Sequence, residues 1–277
     1  MLKDMTLGQF FPGNSVLHKM DPRMKLVLTV LYIVIVFLAE NVYTYVALLA
    51  SAVLLIVVSR LSLRVVLRGV RPILFILLFT MVINVFFTKG DVLLFSFWRI
   101  SVYREGVIRA VFMVVRVLSL VIGTTVFLTY TTSPIVLTDA IESLLSPLKR
   151  IRVPVHDFAM MLTIALRFIP TLVEETEKIM NAQKARGAAF DTGNIFRRAK
   201  ALVPVIIPLL ISSFNRADEL ATAMECRCYR GDVGRTRFVR MHLAARDFVM
   251  LSLFVFFGAL VVLGNLLFAK YGIGFAV

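Results

Sequence analysis

The sequence predicts an all-α membrane protein: about five transmembrane helices plus a cytoplasmic helical domain of about three helices, two of them long and ending in Ala-Arg-Gly-like motifs. Three observations carry that prediction. The 277 residues are 59% hydrophobic, with a mean hydropathy of +0.87, which is too apolar for a water-soluble domain. The apolar residues fall in runs close to the ~20 needed to cross a bilayer. One stretch, 131–246, breaks this pattern by alternating apolar and charged residues at helical spacing.

The elements follow in chain order. Lys3, Lys19, Arg23 and Lys25 precede or open the first apolar run, and no small-residue cleavage site accompanies it, so a cleaved signal peptide is not expected. The expected spans are 24–39, 42–58, 70–87, 107–130 and 248–268. The first is short, so Arg23 and Lys25 are expected to snorkel to the interface. The loop after the second span carries Arg60, Arg64, Arg68 and Arg71, whereas the turn at Glu40 and Asn41 carries no basic residue. The positive-inside rule then places the N-terminus in the cytoplasm and the C-terminus outside.

The net charge of +14 is accounted for by this topology and by attraction to the anionic lipid surface. No nucleic-acid-binding motif accompanies it, so the bilayer rather than nucleic acid is the expected partner. Residues 92–103 are too short and strand-like for a span; they predict an interfacial hairpin anchored by Trp98 and Tyr103. In the fourth span Arg109 and Arg116 lie seven residues apart, on nearly one face. Intramembrane charge is costly unless paired. Arg109 is expected near the outer interface, and Arg116 is expected to bond backbone carbonyls or a polar residue such as Asn84.

The 131–246 stretch opens with Ser133 as N-cap and Pro134 at the first helical position. Pro147 and Pro154 mark the end of that helix. Two long helices follow, 155–186 with Pro170 inside and 195–227 with Pro204 and Pro208 inside. Their carboxylates Glu174, Glu175, Glu177, Asp218 and Glu219 are expected to form a solvated or inter-helix salt-bridged face. The expected organisation is therefore 1–130 with four spans, 131–246 as the cytoplasmic helical domain, and 247–277 with the last span.

Catalytic chemistry is not expected. The phosphate-binding pattern G-x-x-x-x-G-K-[ST] is absent, and no nucleophile, histidine and acid stand together. Cys226 and Cys228 lie on the cytoplasmic side, where a disulfide is disfavoured. With His18, His156 and His242 scattered, no metal site and no cofactor are expected. What remains is a repeated device. Ala185-Arg186-Gly187 and Cys226-Arg227-Cys228 end the two long helices, with Ala182 and Ala223 four residues before the arginines. A cation at a helix C-terminus gains about 0.3–1 kcal/mol from the macrodipole. That does not explain small residues on both sides. They let a partner surface approach the backbone while the guanidinium reaches a carboxylate in bidentate fashion, so Ala185, Arg186, Gly187, Cys226, Arg227 and Cys228 are the expected docking residues.

At these residues the chain resembles the transmembrane T component of energy-coupling factor (ECF) transporters, the EcfT family. The resemblance runs through Pro12-Gly13, His18-Lys19-Met20-Asp21-Pro22-Arg23-Met24-Lys25-Leu26, Ser146-Pro147-Leu148-Lys149, Ala165-Leu166-Arg167-Phe168-Ile169-Pro170 and both arginine motifs. It implies that Arg186 and Arg227 insert into two cytosolic ATP-binding cassette ATPase subunits. It also implies that the apolar faces of the same helices hold a membrane-embedded, substrate-binding S component, with vitamin uptake favoured over a dedicated cobalt or nickel system. A multi-pass protein of a prokaryotic cell membrane follows from the same resemblance.

The second motif departs from the family pattern, with Cys226 and Cys228 in place of Ala and Gly. Without that glycine the helix end stays open: Gly231 offers a later stop, and Arg230 becomes a rival for the docking charge. Arg227 is preferred because its spacing matches the first motif. The second plug, Cys-flanked, beside Arg230 and without a clean stop, is the one expected to tolerate substitution better if either does. The alternative from another class is a self-sufficient secondary transporter or channel with a regulatory helical domain.

Overall fold

The computed structural model describes residues 11, 13–88, 92–97, 100–188, 190, 194–231 and 241–271. They form α1 (Pro22–Leu38), α2 (Val42–Ser59), α3 (Leu63–Phe87), a hairpin of β1 (Leu93–Phe97) and β2 (Ile100–Tyr103), and α4 (Arg104–Thr124), which runs into a π-helical segment (Thr125–Tyr130). After these come α5 (Pro134–Leu145), a 3-10 turn (Ser146–Ile151), α6 (Val155–Ala185), α7 (Ile195–Cys226) and α8 (Ala245–Tyr271). Six of these helices are long and apolar enough to cross a membrane: α2, α3, α4 with its π segment, α6, α7 and α8. The two in the charged stretch, α6 and α7, are the least apolar of the six. At 17 residues α1 is shorter than any of them.

The chain divides within α5 into two compact units, one taking in 11–140 and 241–271 and the other 141–231. In the first, α1 packs on α4 and α8, α2 packs on α4 and α8, and α3 packs on α4. Local sequence explains the helix starts. Asp21 caps α1 by accepting the Arg23 N–H at 2.9 Å, with Pro22 at the first helical position. At α2 the Asn41 N–H donates to Thr44 Oγ1 at 3.0 Å. The expected third span, 70–87, starts seven residues too late. Arg64, Arg68 and Arg71 are good helix formers on an exposed stripe, so they extend α3 back to Leu63 rather than forming a loop. The predicted hairpin is present, with Phe97 opposite Ile100; Trp98 lies outside the described residues.

The centre of this unit is aromatic. Tyr32 of α1 and Phe127 of the π segment are both 0% exposed, and each meets Phe254 of α8 edge-on, at 6.2 and 5.4 Å between ring centroids. Gly123 lets α4 approach the Tyr32 ring, which a Cβ at this position would overlap. A buried ring cannot swing away, so Gly123→Ala is expected to destabilise the protein by about 1–3 kcal/mol. A thermal-unfolding series in detergent checks this.

Lys25 corrects an expectation. Rather than snorkelling, its side chain is 1% exposed, and Nζ donates to the Thr131 carbonyl at 2.9 Å and to Thr132 Oγ1 at 3.1 Å. Asp21 and Asp247 lie close enough to act on its charge. Asp247 is itself fully buried, accepting the Asp21 N–H at 3.2 Å and the Ala244 N–H at 2.8 Å. The start of α1, the start of α8 and the end of the π segment are thereby tied together, each supplying what another lacks: charge, counter-charge or an orphan carbonyl.

The opposite end of α1 is held in a similar way. Arg116 Nη2 donates to the Ala39 carbonyl at 2.9 Å and to the Tyr45 hydroxyl, with its guanidinium 5.5 Å from the Tyr45 ring centre. Asn265 of α8 donates to the Leu38 carbonyl and accepts from Asn41 Nδ2 at 3.3 Å. Arg116 therefore meets a backbone carbonyl as expected, but its side-chain partner is Tyr45. Asn84 instead donates to the Thr80 carbonyl and to Met113 Sδ. Arg109 is exposed.

In the second unit, Glu142 of α5 and His156 of α6 form a buried pair, with 3.0 Å between Oε1 and Nδ1. The long helices α6 and α7 pack on one another but bury little: Val155 and Val205 are their buried hydrophobic residues among those described. Pro170, Pro204 and Pro208 all lie inside continuous helix.

Candidate functional site

The two arginine motifs are built from the backbone upward. α6 ends at Ala185 with Arg186 as its C-cap, and α7 ends at Cys226 with Arg227 as its C-cap. After Arg186, the Gly187 N–H donates to the Lys184 carbonyl at 2.9 Å and the Ala188 N–H to the Gln183 carbonyl at 3.0 Å. After Arg227, the Cys228 N–H donates to the Glu225 carbonyl at 2.9 Å and the Tyr229 N–H to the Met224 carbonyl at 3.1 Å. Both are Schellman endings, with the residue after the arginine in the left-handed region: Gly187 at φ 87° and Cys228 at φ 55°.

The helix that lacks a terminal glycine thus stops at the equivalent position, not at Gly231. The paired carbonyl bonds of the cap outweigh the left-handed cost of a residue with a Cβ, about 1–2 kcal/mol. It is Arg227, not Arg230, that occupies the place corresponding to Arg186. Cys228→Gly is accordingly expected to stabilise the last turn of α7 by about 1 kcal/mol, slowing amide exchange there about fivefold. Gly187→Ala should do the reverse to α6, and hydrogen–deuterium exchange reads both.

All six predicted docking residues, Ala185, Arg186, Gly187, Cys226, Arg227 and Cys228, are exposed. Both cysteines are free thiols. Neither guanidinium has a side-chain hydrogen bond or ion pair among the described residues. What each motif offers is a rigid helix end, a cation set on it, and small side chains on either side.

Sequence reasoning left the partner of each acidic residue open, and one pairing is decisive for these helices. Glu175 of α6 accepts from Ser212 Oγ at 2.5 Å through Oε1 and from Arg216 Nη2 at 2.7 Å through Oε2, both on α7. Ser212 and Arg216 are four residues apart and share one face, so both donors reach a single carboxylate. The same region lines a groove of about 910 Å³ that includes Phe168, Pro208, Ile211 and Asn215. Glu174, Glu177, Asp218 and Glu219 take no part in these hydrogen bonds. Among the described residues no group of three or more His, Cys, Asp or Glu side chains could hold a metal ion.

Six helices long and apolar enough to cross a membrane, two of them ending in matched exposed arginines, define a polytopic α-helical membrane protein. Residues 13–238 match the family model described as CbiQ, cobalt transport protein. The chain is 50% identical over 268 residues to the energy-coupling factor transporter transmembrane protein EcfT of Ruminiclostridium cellulolyticum, covering 97% of this chain and 100% of that protein. It is 51% identical over 250 residues to that of Clostridium kluyveri, covering 90% and 92%. To that of Bacillus subtilis it is 43% identical over 256 residues, covering 92% and 96%. The chain belongs to the CbiQ/EcfT family, the transmembrane proteins of energy-coupling factor transporters.

Proposed function

We propose that this chain is the energy-coupling subunit of its transporter, carrying ATP-driven movement of two cytosolic ATPase subunits to a membrane-embedded S component that binds the substrate. The observation that carries this reading is the pair of identically capped helices, each ending in an exposed arginine between small residues. Two matched plugs suit two ATPase subunits, and a carboxylate in each receiving groove would complete a bidentate pair. Residues 131–246 act as the coupling domain between the spans of 1–130 and the span of 247–277. The N-terminus is cytoplasmic in the prokaryotic cell membrane, which puts both arginines on the ATPase side.

The S component is assigned to the apolar surface of the coupling helices. Phe158 and Leu162 on α6 and Ile207, Leu210, Ile211 and Phe214 on α7 are exposed, and such surface on helices with so little buried core is what a partner would cover. The cargo is a vitamin or similar micronutrient, chosen by the S component rather than by this chain.

The exposed thiols supply a direct test. In the full chain in nanodiscs, maleimide labelling of Cys226 and Cys228 is expected to slow at least about tenfold when the ATPase pair is added, because docking buries both cysteines. An unchanged labelling rate in a complex shown to be assembled would rule out docking at the second motif.

A further inference from the structure

We infer that Glu175, Ser212 and Arg216 form a positioning clamp that sets the separation and facing of the two docking arginines; this rests on the docking reading above. The juxtaposition that points to it is a matched register. Glu175 stands eleven residues before Arg186, and Arg216 stands eleven residues before Arg227. The intervening backbone is continuous helix in both cases. Eleven residues rise about 16 Å, so the clamp sits at the root of two arms of equal length. They also turn through just over three full revolutions, so each arginine leaves its helix within about 20° of the face that carries its clamp residue.

The clamp matters because the apolar packing around it is partial. Val155 and Val205 are the fully buried hydrophobic residues of α6 and α7 among those described, while Leu172 and Ile179 on either side of Glu175, and Leu209 and Leu220 on α7, are only partly buried. A carboxylate with one donor on each oxygen, at 2.5 and 2.7 Å, holds both the distance and the roll of the helices. If either donor goes, the crossing can pivot on the other. Small angular freedom at the root becomes a large displacement at the tips of the arms, where the arginines must enter two grooves at once.

The test reads spacing and docking separately. Spin labels at Asn181→Cys and Ala221→Cys, exposed positions near the tips, are introduced with Cys226→Ser and Cys228→Ser into the full chain in nanodiscs. Pulsed electron–electron resonance is expected to give one narrow distance. Glu175→Ala and Arg216→Ala should each broaden it roughly twofold, and the exchange Glu175→Arg with Arg216→Glu should narrow it again. In the unlabelled chain the alanine variants should lower ATPase co-purification at least about fivefold, with recovery in the exchanged pair.

An unchanged distance distribution in both alanine variants overturns the clamp. So does a broadened distribution with unimpaired ATPase assembly. The docking reading fails independently, if Arg186→Glu with Arg227→Glu leaves assembly intact; that variant is expected to leave the tip distance unchanged. Glu175 and Arg216 are only partly buried, so water can solvate whatever group is left behind, and the variants are expected to fold.

Discussion

Replacing both arginines, Arg186→Glu together with Arg227→Glu, is expected to abolish assembly with the ATPase pair and with it all substrate uptake. Both guanidiniums are exposed, and among the described residues the substitution removes no side-chain hydrogen bond or ion pair. The loss falls on the interface. Truncating one partner of a desolvated, hydrogen-bonded charge pair costs about 2–5 kcal/mol, and placing a carboxylate against a carboxylate adds repulsion. One plug lost also ends the gain from two linked contacts, which is worth about 10²–10⁴ in apparent affinity. Each single variant should therefore weaken co-purification at least about 30-fold, and the double should leave none. Wild-type assembly and uptake in the double variant would end the docking reading. One of the grounds for expecting greater tolerance at the second plug, an unclean helix stop, is removed, since both helices stop in the same way. The differences left between the motifs are the volume of Cys226 and Cys228 against Ala185 and Gly187 and the exposed Arg230 beside the second.

Lys25→Met is expected to lower stability by about 3–5 kcal/mol, because it removes the one cation from a buried set holding two carboxylates. Methionine preserves most of the volume, so the effect isolates charge and hydrogen bonding rather than a cavity. The Thr131 carbonyl and Thr132 hydroxyl lose their donor. Asp247, at 0% exposure, loses the nearby positive charge. A fall in unfolding temperature on the order of 10 °C in detergent should follow. Asp247→Asn in the same chain should recover part of it by removing the uncompensated charge, whereas Lys19→Met, at an exposed position, should be close to neutral. An unfolding temperature within a degree or so of wild type for Lys25→Met would show that this cluster does not support the fold.

Helix existence was legible in the sequence wherever a strong local signal stood: Pro134 behind Ser133, and the 3.6-residue periodicity of α6 and α7, whose ends fell within a residue of expectation. The start of α3 was misplaced because a run of arginines reads as loop by topology, yet favours helix by propensity. Lys25 was misjudged for a related reason. A lysine at a span edge has two low-energy fates, the interface or a built polar pocket, and the pocket here comes from residues 106, 107 and 222 positions further along the chain.

The all-α membrane class and the two cationic motifs could be read from the chain alone, since hydrophobic run length, capping residues and spacing are local properties that precede any packing. The folded chain was needed to show that Cys228 takes a left-handed turn, that Lys25 is buried between Thr131 and the Asp21–Asp247 pair, and that Glu175 joins Ser212 and Arg216. In each case the outcome depends on which distant group supplies a hydrogen bond or a counter-charge, and a one-dimensional pattern does not carry that choice.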